Sequence, residues 1–269
     1  MSITLLVDKL QQLDFNRQPR VFSIDCDGKK YIIKQQQPPR AKISYKILTG
    51  LSKLFFTPVL QGIHIPGKKL TQDMEIKRLT ALRNAGVNVP EILYECEDYV
   101  VLSHLGDTNF EELLKKTGQH TAQYHWERVL NGILQTHKQG TYLSQAFMRN
   151  IIHIEDNIAF VDFEDDPGLV MSVAEAQARD WLLCIHSSSR LLQINSRIQA
   201  RILLNYLKQD SIEVQNIVLS YAPKISLLRF IFAREMPYRN RDLQSLNRFI
   251  QTMSELSRLK ISEAMQSQQ

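Results

Sequence analysis

Asn150 and Asp162 are the pair of residues whose types and spacing best suit metal chemistry. They lie in RNIIHIEDNIAFVDFEDDPG, where Asn150 precedes one strand-like run and Asp162 ends the next, twelve residues later. A hairpin brings these two side chains together, and an amide oxygen with a carboxylate makes the hard oxygen site that Mg²⁺ prefers. The alternative interpretation is a turn asparagine and a strand-end aspartate, each common by itself.

Lys34 and Glu75 form a second set of candidate residues. Lys34 closes the apolar run YIIK, and Glu75 lies in the middle of an amphipathic segment with apolar residues at Met74, Leu79 and Leu82. A lysine ammonium at the end of a buried strand needs a carboxylate partner, because an unpaired buried charge is costly. Taken singly, each residue is explained equally well as a surface charge.

The first part of the chain is rich in strands. Two β-rich runs in VFSIDCDGKKYIIK flank Asp27-Gly28, which is a typical dipeptide of a tight hairpin. The pattern then predicts a helix over 71–84 with Gly86 as its stop, and VNVPEILYECEDYVVLSHLG predicts two more strands. These elements make a small sheet with one helix inserted.

The second part of the chain is mainly helical. The helical period begins at Asn109, is interrupted only by the hairpin that carries Asn150 and Asp162, and continues from Val173 onward. This order predicts an α+β fold of two lobes. The expected divisions are a β-rich N-lobe over 1–104, a helical C-lobe over 105–262, and a disordered tail over 263–269.

The order of elements and the four polar residues resemble the protein-kinase-like superfamily. The nearest branch holds bacterial lipopolysaccharide (Kdo/heptose) kinases and aminoglycoside and choline phosphotransferases, because VDFEDDP is similar to their IDFED and IDWED motifs. The resemblance implies a two-lobed kinase-like fold with ATP and Mg²⁺ as cofactors. It further implies that Lys34 holds the α- and β-phosphates and that Glu75 fixes this lysine. Asn150 and Asp162 are the implied metal ligands.

Three more aspartates belong to this comparison. Asp180 in ARDWLL resembles the residue that braces the catalytic loop in that branch, and an exposed helix aspartate is the alternative. Asp165 and Asp166 follow the metal aspartate closely and are within reach of metal or phosphate. A turn or capping role before Pro167 is the favoured interpretation of both.

The chain departs from the family at the catalytic aspartate. That position, five residues before the metal asparagine, holds Gln145. A neutral amide orients a hydroxyl but is no general base near pH 7. General-base help is typically worth about 10²–10⁴-fold, so slow phosphoryl transfer stays open. Arg149 is a candidate for neutralising phosphate charge, and His153 and Asp166 are candidates for a substitute base.

The glycine-rich loop of the family is also missing. QQLDFNRQPR, which precedes the first strand, contains no glycine, so backbone amides cannot wrap the phosphates in the usual way. Arg17 and Arg20 are candidates to replace the loop by direct charge contact.

An apolar insert over 43–65 separates the lysine strand from the glutamate helix and carries only lysine as charge. One interpretation places it in the headgroup region of an anionic leaflet, which suits a glycolipid acceptor. The other is a helix packed on the N-lobe, with Leu51, Leu54, Phe55 and Val59 in the core. The segment is too short to span a bilayer.

Composition and the N-terminal sequence indicate the cellular compartment and the kinds of partner. The formal charge is +5, the three cysteines are widely separated, and the N-terminus lacks the features of a secretory signal. These features predict a cytoplasmic protein, with peripheral contact at the inner face of the membrane if the insert binds lipid. Nucleic-acid binding is not expected, because the arginines of FAREMPYRNRDLQSLNRF lack interleaved aromatic platforms.

The leading functional hypothesis is an ATP-dependent phosphotransferase acting on a hydroxyl. Its acceptor is a small molecule or a cell-envelope saccharide or glycolipid, with a protein acceptor also open. The alternative is a nucleotide-binding pseudokinase that serves as a regulator or scaffold, for which Gln145 is the main support. Transfer of a nucleotidyl group is a third hypothesis.

Overall fold

The computed structural model describes residues 3–36, 59, 67–232 and 241–266. The strands are β1 (Val21–Cys26), β2 (Lys29–Gln35), β3 (Ile92–Glu95), β4 (Tyr99–Ser103), β5 (Ile151–Ile154) and β6 (Asn157–Phe160). The helices are α1 (Ile3–Gln11), α2 (Lys68–Asn84), α3 (Phe110–Lys116), α4 (Gln119–Lys138), α5 (Val173–Ser188), α6 (Ser196–Leu207), α7 (Ile212–Leu227), α8 (Arg229–Phe232) and α9 (Arg241–Gln266). Sheet and helices fall into the two lobes of the predicted α+β fold.

The first lobe is built on a four-stranded antiparallel sheet in the order β1-β2-β4-β3. The predicted hairpin is present, and both turn residues, Asp27 and Gly28, have positive φ (53° and 70°), as a tight primed turn requires. Strand β4 pairs with β2 so that Lys34 lies opposite Val100. Successive side chains alternate between faces, so Lys34 and Ile33 point to opposite sides of the sheet.

Helix α1 covers the face of the sheet that Ile33 occupies. Its Leu6 and Leu10 are buried in one cluster with Ile24, Ile33 and Val101. The sequence predicts no element here, because a nine-residue helix offers little more than two turns of periodicity.

Helix α2 covers the opposite face, on which Lys34 lies. It confirms the helix predicted over 71–84 and begins earlier, at Lys68. Gly86 ends it with a φ of 83°, which a glycine adopts without strain. Leu79 is buried on α2, and Glu75 lies one turn before it, so the same face carries the glutamate toward the sheet.

The second lobe packs α3–α9 around Trp126 of α4 and Trp181 of α5, both fully buried. The β5–β6 hairpin is antiparallel, with Ile151 opposite Phe160. The two strand-like runs predicted around Asn150 and Asp162 therefore pair as expected. Helix α9 packs against α6 and α7 and completes the lobe.

One segment differs from its predicted structure, and another lies mostly outside the described residues. The tail predicted to be disordered from residue 263 is helical as far as Gln266, because α9 continues through Glu, Ala, Met and Gln, all good helix formers. The insert over 43–65 lies outside the described residues except Val59. Val59 is buried, and its carbonyl accepts a 2.8 Å hydrogen bond from Nη1 of Arg179 on α5.

The three cysteines, Cys26, Cys96 and Cys184, are free thiols. Over the ranges that the structure describes, no helix is both long and apolar enough to cross a bilayer.

Gly132 on α4 allows the β5–β6 hairpin to pack against that helix. A Cβ at this position would overlap Ile158 and lie 3.3 Å from Phe160. We expect Gly132→Ala to lower the free energy of unfolding by about 1–3 kcal/mol, because overpacking shifts the hairpin. Urea unfolding followed by circular dichroism measures the change. Asn131→Ala, at the neighbouring exposed position, is the control and should unfold like the wild type; equal stability of both variants would contradict the close packing.

Candidate functional site

The ammonium of Lys34 lies inside a ring of carboxylates. Its Nζ is 2.6 Å from Oε1 of Glu75, 2.8 Å from Oε1 of Glu164 and 3.4 Å from Oδ1 of Asp162. Lys34 and Glu75 are only 8% and 4% exposed. The structure therefore brings the sequence-predicted lysine and glutamate into direct contact, and it adds Glu164, which sequence reasoning missed.

Electrostatics keep this lysine charged. Burial lowers the pKa of Lys34, but Glu75, Asp162 and Glu164 together outweigh burial and raise the pKa above its ordinary value. Burial raises the pKa of Glu75, and the contact with Lys34 opposes that rise. A fixed cation at this position suits an anionic ligand.

Asp162 occupies a strained position beside this ion pair. Strand β6 ends at Phe160, two residues earlier than the sequence analysis places the end of the strand, so Asp162 lies in the following loop. Its φ is 71°, in the left-handed region that non-glycine residues seldom adopt. Its side chain is 29% exposed and lines the cavity described below. Such strain is concentrated at functional sites.

Asn150 lies at the same open end of the hairpin as Asp162, directly before β5. Its carbonyl accepts a 2.9 Å hydrogen bond from the backbone nitrogen of Val161, which ties it to the residue before Asp162. Its Nδ2 donates to the carbonyl of Gln145 at 3.1 Å, so the amide oxygen is the atom suited to a cation.

The donor set at Asn150 and Asp162 fits Mg²⁺. It consists of one amide oxygen and one carboxylate, both hard ligands, and Mg²⁺ usually completes its shell with waters and substrate phosphates. In the described part of the chain, no three His, Cys, Asp or Glu residues converge in a metal-holding cluster.

Gln145, at the position of the missing catalytic aspartate, is held by a neighbouring carboxylate. Its Nε2 donates to Oδ1 of Asp165 at 3.0 Å, and the residue is 7% exposed. Ser144, directly before it, has a φ of 72°, a second strained position next to the site. Asp165 in turn lies 3.9 Å from Nη2 of Arg179. Asp165 thus supports the loop through Gln145, which corrects the turn or capping role expected for it.

Asp180 stabilises the same loop through a hydrogen bond to its backbone. It is completely buried, and its Oδ2 accepts a 2.6 Å hydrogen bond from the backbone nitrogen of Leu143. His137 lies between this aspartate and Asp210, with its ring nitrogens 3.4 Å from Asp180 and 2.7 Å from Asp210. The indole nitrogen of Trp181 also donates to Asp210 at 2.7 Å. The alternative of an exposed helix aspartate at 180 is therefore wrong.

Asp166, a candidate for a substitute base, and Arg149, a candidate for neutralising phosphate charge, each contact other residues. Asp166 caps the turn that begins at Pro167 by accepting from the nitrogen of Gly168, and it also accepts from the hydroxyl of Tyr142 at 2.5 Å. The guanidinium of Arg149 stacks over the Phe147 ring, 4.5 Å from its centroid.

His153 lies in an aromatic cluster on the far side of the hairpin. Its Nδ1 is 3.3 Å from Nη1 of Arg128, and its ring packs edge-on to those of Phe110 and His125. Neither His153 nor Asp166 is hydrogen-bonded to Gln145.

A cavity of about 600 Å³ opens between the sheet and the β5–β6 hairpin. One end carries the charged side chains of Arg20, Lys34, Glu75 and Asp162, and the ion pair of Lys30 with Asp107 lines the cavity elsewhere. The walls are largely apolar and come from both lobes; they include Phe22, Ile32, Leu79, Leu102, Leu105, Ile152 and Val161. This volume lies within the range of small-molecule sites, and a slot with apolar walls and a charged end suits a base linked to phosphates.

Of the two arginines considered as replacements for the glycine-rich loop, only Arg20 reaches this cavity. Arg17 pairs with Asp14 at 3.2 Å, and its side chain is 86% exposed. Arg20 bonds Glu164 at 2.5 Å. The signal for Glu164 and Asp165 is the acidic run that follows Asp162, in which the sequence alone does not show which carboxylate meets which partner.

No protein-family model and no curated protein matches the sequence. Among solved structures, the chain is similar to the kinase PK-1 of Cydia pomonella granulovirus, with 12% identity, a TM-score of 0.41 and coverage of 94% of this chain and 96% of that one. The PAN3 pseudokinase mutant of Neurospora crassa is 12% identical, with a TM-score of 0.35 over 99% of this chain and 72% of that one. The effector kinase LegK7 of Legionella pneumophila is 11% identical, with a TM-score of 0.38 over 82% of this chain and 63% of that one.

The order of the elements agrees with a two-lobed fold. A β-rich lobe with one covering helix is followed by a helical lobe that contains a single hairpin in the described residues. This arrangement agrees with the two-lobed α+β fold that the resemblance to protein kinases implies.

The buried His137 makes part of the stability depend on pH. Burial lowers its pKa, but hydrogen bonds to Asp180 and Asp210 outweigh burial and raise it above the ordinary value. The stabilisation that protonated His137 provides is therefore complete below about pH 6.5, its pKa in the unfolded chain, and is lost as the pH rises through its pKa in the folded chain. We expect the free energy of unfolding to decrease over this pH range in the wild type and to decrease less in His137→Gln. The exposed His120→Gln is the control, and an unchanged pH profile in His137→Gln would rule out this origin.

Proposed function

We propose that the chain binds a nucleoside triphosphate with Mg²⁺ between its lobes and transfers the terminal phosphoryl group slowly to a hydroxyl. One observation carries the proposal. Lys34 is held by Glu75 at 2.6 Å and faces Asp162 at 3.4 Å, at the charged end of a cavity with apolar walls. A lysine fixed in this way supplies a positioned charge, and phosphoryl transfer depends mainly on positioning and charge stabilisation.

Each predicted residue then has a distinct task. Lys34 binds phosphate oxygens, and Glu75 holds the lysine in place against the sheet. Asn150 and Asp162 hold Mg²⁺, which when bound neutralises phosphate charge. The apolar walls around Ile32 and Leu102 accept the base and exclude water from it.

The charge balance of the site favours a nucleotide that arrives with a divalent cation. Two cations, Lys34 and Arg20, face three carboxylates, those of Glu75, Asp162 and Glu164. A polyphosphate alone adds negative charge to a site that already has an excess of it. Binding should therefore depend strongly on Mg²⁺.

Gln145 sets the rate. Its amide is directed by Asp165, and it can position an acceptor hydroxyl by hydrogen bonding without removing the proton. Loss of a general base lowers the rate by about 10²–10⁴-fold and leaves the electrostatic contribution in place.

The acceptor is the part of the proposal that rests on resemblance. The VDFEDDP motif is similar to those of small-molecule and lipopolysaccharide kinases, so a small molecule or a cell-envelope saccharide is the acceptor that we favour. Contact of the 43–65 insert with an anionic membrane would place the site near a glycolipid, and this contact stays a prediction. A hydroxyl of a protein is a further acceptor class for the fold.

The second candidate function is a pseudokinase that binds the nucleotide without turning it over. The amide at position 145 favours it, because an amide is no general base near pH 7. In that case the bound nucleotide would stabilise one conformation for a protein partner.

Asp162→Asn tests the metal assignment with little structural disturbance. Asparagine has the same shape and tolerates a φ of 71°. We expect the affinity for ATP in the presence of Mg²⁺, measured by calorimetry, to fall by about tenfold or more, because a charged ligand is lost. The exposed Asp156→Asn, in the turn of the same hairpin, is the control. A wild type that binds no Mg²⁺-ATP would overturn the proposed function.

Exchanging the amide and the carboxylate of the loop separates the two candidate functions. The double variant Gln145→Asp, Asp165→Asn retains one amide and one carboxylate at this pair of positions and places the carboxylate on the loop. We expect Mg²⁺-dependent ATP hydrolysis to rise on the order of 10²-fold, because a base becomes available. The single variant Asp165→Asn is the control, since it alters the contact without supplying a base. Measurable wild-type turnover supports a slow enzyme, whereas no turnover in any variant supports the scaffold.

A further inference from the structure

One oxygen atom of Glu164 holds two cations from the sheet lobe. Oε1 lies 2.5 Å from Nη1 of Arg20 and 2.8 Å from Nζ of Lys34. Arg20 immediately precedes β1, and Lys34 lies on β2, so the carboxylate ties two neighbouring strands to the loop after Asp162. Without the carboxylate of Glu164, the neighbouring positive charges of Arg20 and Lys34 would repel each other.

Glu164 is more deeply buried than Arg20, and the two side chains line different spaces. The side chain of Glu164 is 1% exposed and faces a small space behind Lys34 that Thr71 and Gln72 also line. The side chain of Arg20 is 36% exposed and lines both this space and the large cavity. The carboxylate therefore lies behind the cations, while Arg20 and Lys34 face the ligand side.

Glu164 fixes the direction of Arg20 through this short contact. A buried carboxylate that bonds a guanidinium at 2.5 Å holds the arginine side chain in one orientation.

We propose that Arg20 is a phosphate ligand that takes the place of a glycine-rich loop, and that Glu164 is the positioning residue that sets it beside Lys34. The inference rests on the proposed function and names the ligand class more narrowly. Two adjacent cations engage two linked phosphates, so the site selects a nucleoside diphosphate or triphosphate over a monophosphate. Arginine suits this task because its planar fork binds phosphate oxygens in pairs.

Arg20→Gln is the first test, with ATP, ADP, AMP and adenosine as probes in Mg²⁺ buffer and calorimetry as the measurement. The variant should lose about tenfold in affinity for ATP and ADP, and no more than about twofold for adenosine, because one charge-assisted contact is removed. Arg17→Gln is the matched control, since it makes the same change three residues earlier on an arginine that pairs with Asp14 at the surface. It should bind all four probes like the wild type.

Glu164→Gln is the second test, and thermal unfolding shows whether it is folded. It should weaken ATP binding in the same direction as Arg20→Gln, because Arg20 loses its direction. A rise in ATP affinity would overturn the proposal and make Glu164 a competitor of the phosphates for Lys34. If Arg20→Gln binds ATP like the wild type, the arginine is no phosphate ligand although the nucleotide site stands. If the wild type binds neither ATP nor adenosine, the proposed function fails and the inference fails with it.

Discussion

The ammonium of Lys34 lies at a position that is only 8% exposed, and three carboxylates from two different segments meet there to stabilise its charge. An uncompensated ammonium at such a position would be strongly destabilising, because desolvation opposes the charged form. The requirement orients helix α2 so that Glu75 faces the sheet. It also fixes the loop after β6, which supplies Asp162 and Glu164. The cavity between the lobes takes its shape from these constraints.

Two strained backbone positions lie where the chemistry would occur. Ser144 and Asp162 are two of the few non-glycine residues with positive φ in the described ranges, and they flank the loop and the hairpin that carry Gln145 and Asn150. The surroundings hold these conformations: Asp180 accepts from the backbone nitrogen of Leu143. A site that needs a buried carboxylate under its loop is preorganised before any ligand arrives.

The sequence predicts the individual strands, helices and turns of the site, but it does not predict the side-chain contacts between them. The hairpin at Asp27-Gly28 and the helix ending at Gly86 follow from local turn chemistry, and the structure confirms both. The pairing of Lys34 with Glu75 was expected from resemblance, because residues 41 apart carry no local signal for contact.

Partner choice within the acidic run after Asp162 was not predictable. Adjacent carboxylates differ in their partners only through the three-dimensional path of the loop, so Glu164 was missed and Asp165 was expected to cap a turn. Helix α1 was missed for another reason, since a short amphipathic segment gains its stability from the sheet that it covers. The metal, cofactor and acceptor assignments stay proposals.

The bonds made by Glu164 also bear on how the lobes can move. Arg20 and Lys34 belong to the sheet lobe, whereas Glu164 follows the hairpin of the helical lobe, so these ion pairs cross the interlobe boundary. Buried charge pairs are little affected by dissolved salt, in contrast to exposed ones. The two lobes are thus joined twice, by the chain over 104–109 and by these ion pairs, so any separation of the lobes at the charged end of the cleft requires the ion pairs to break.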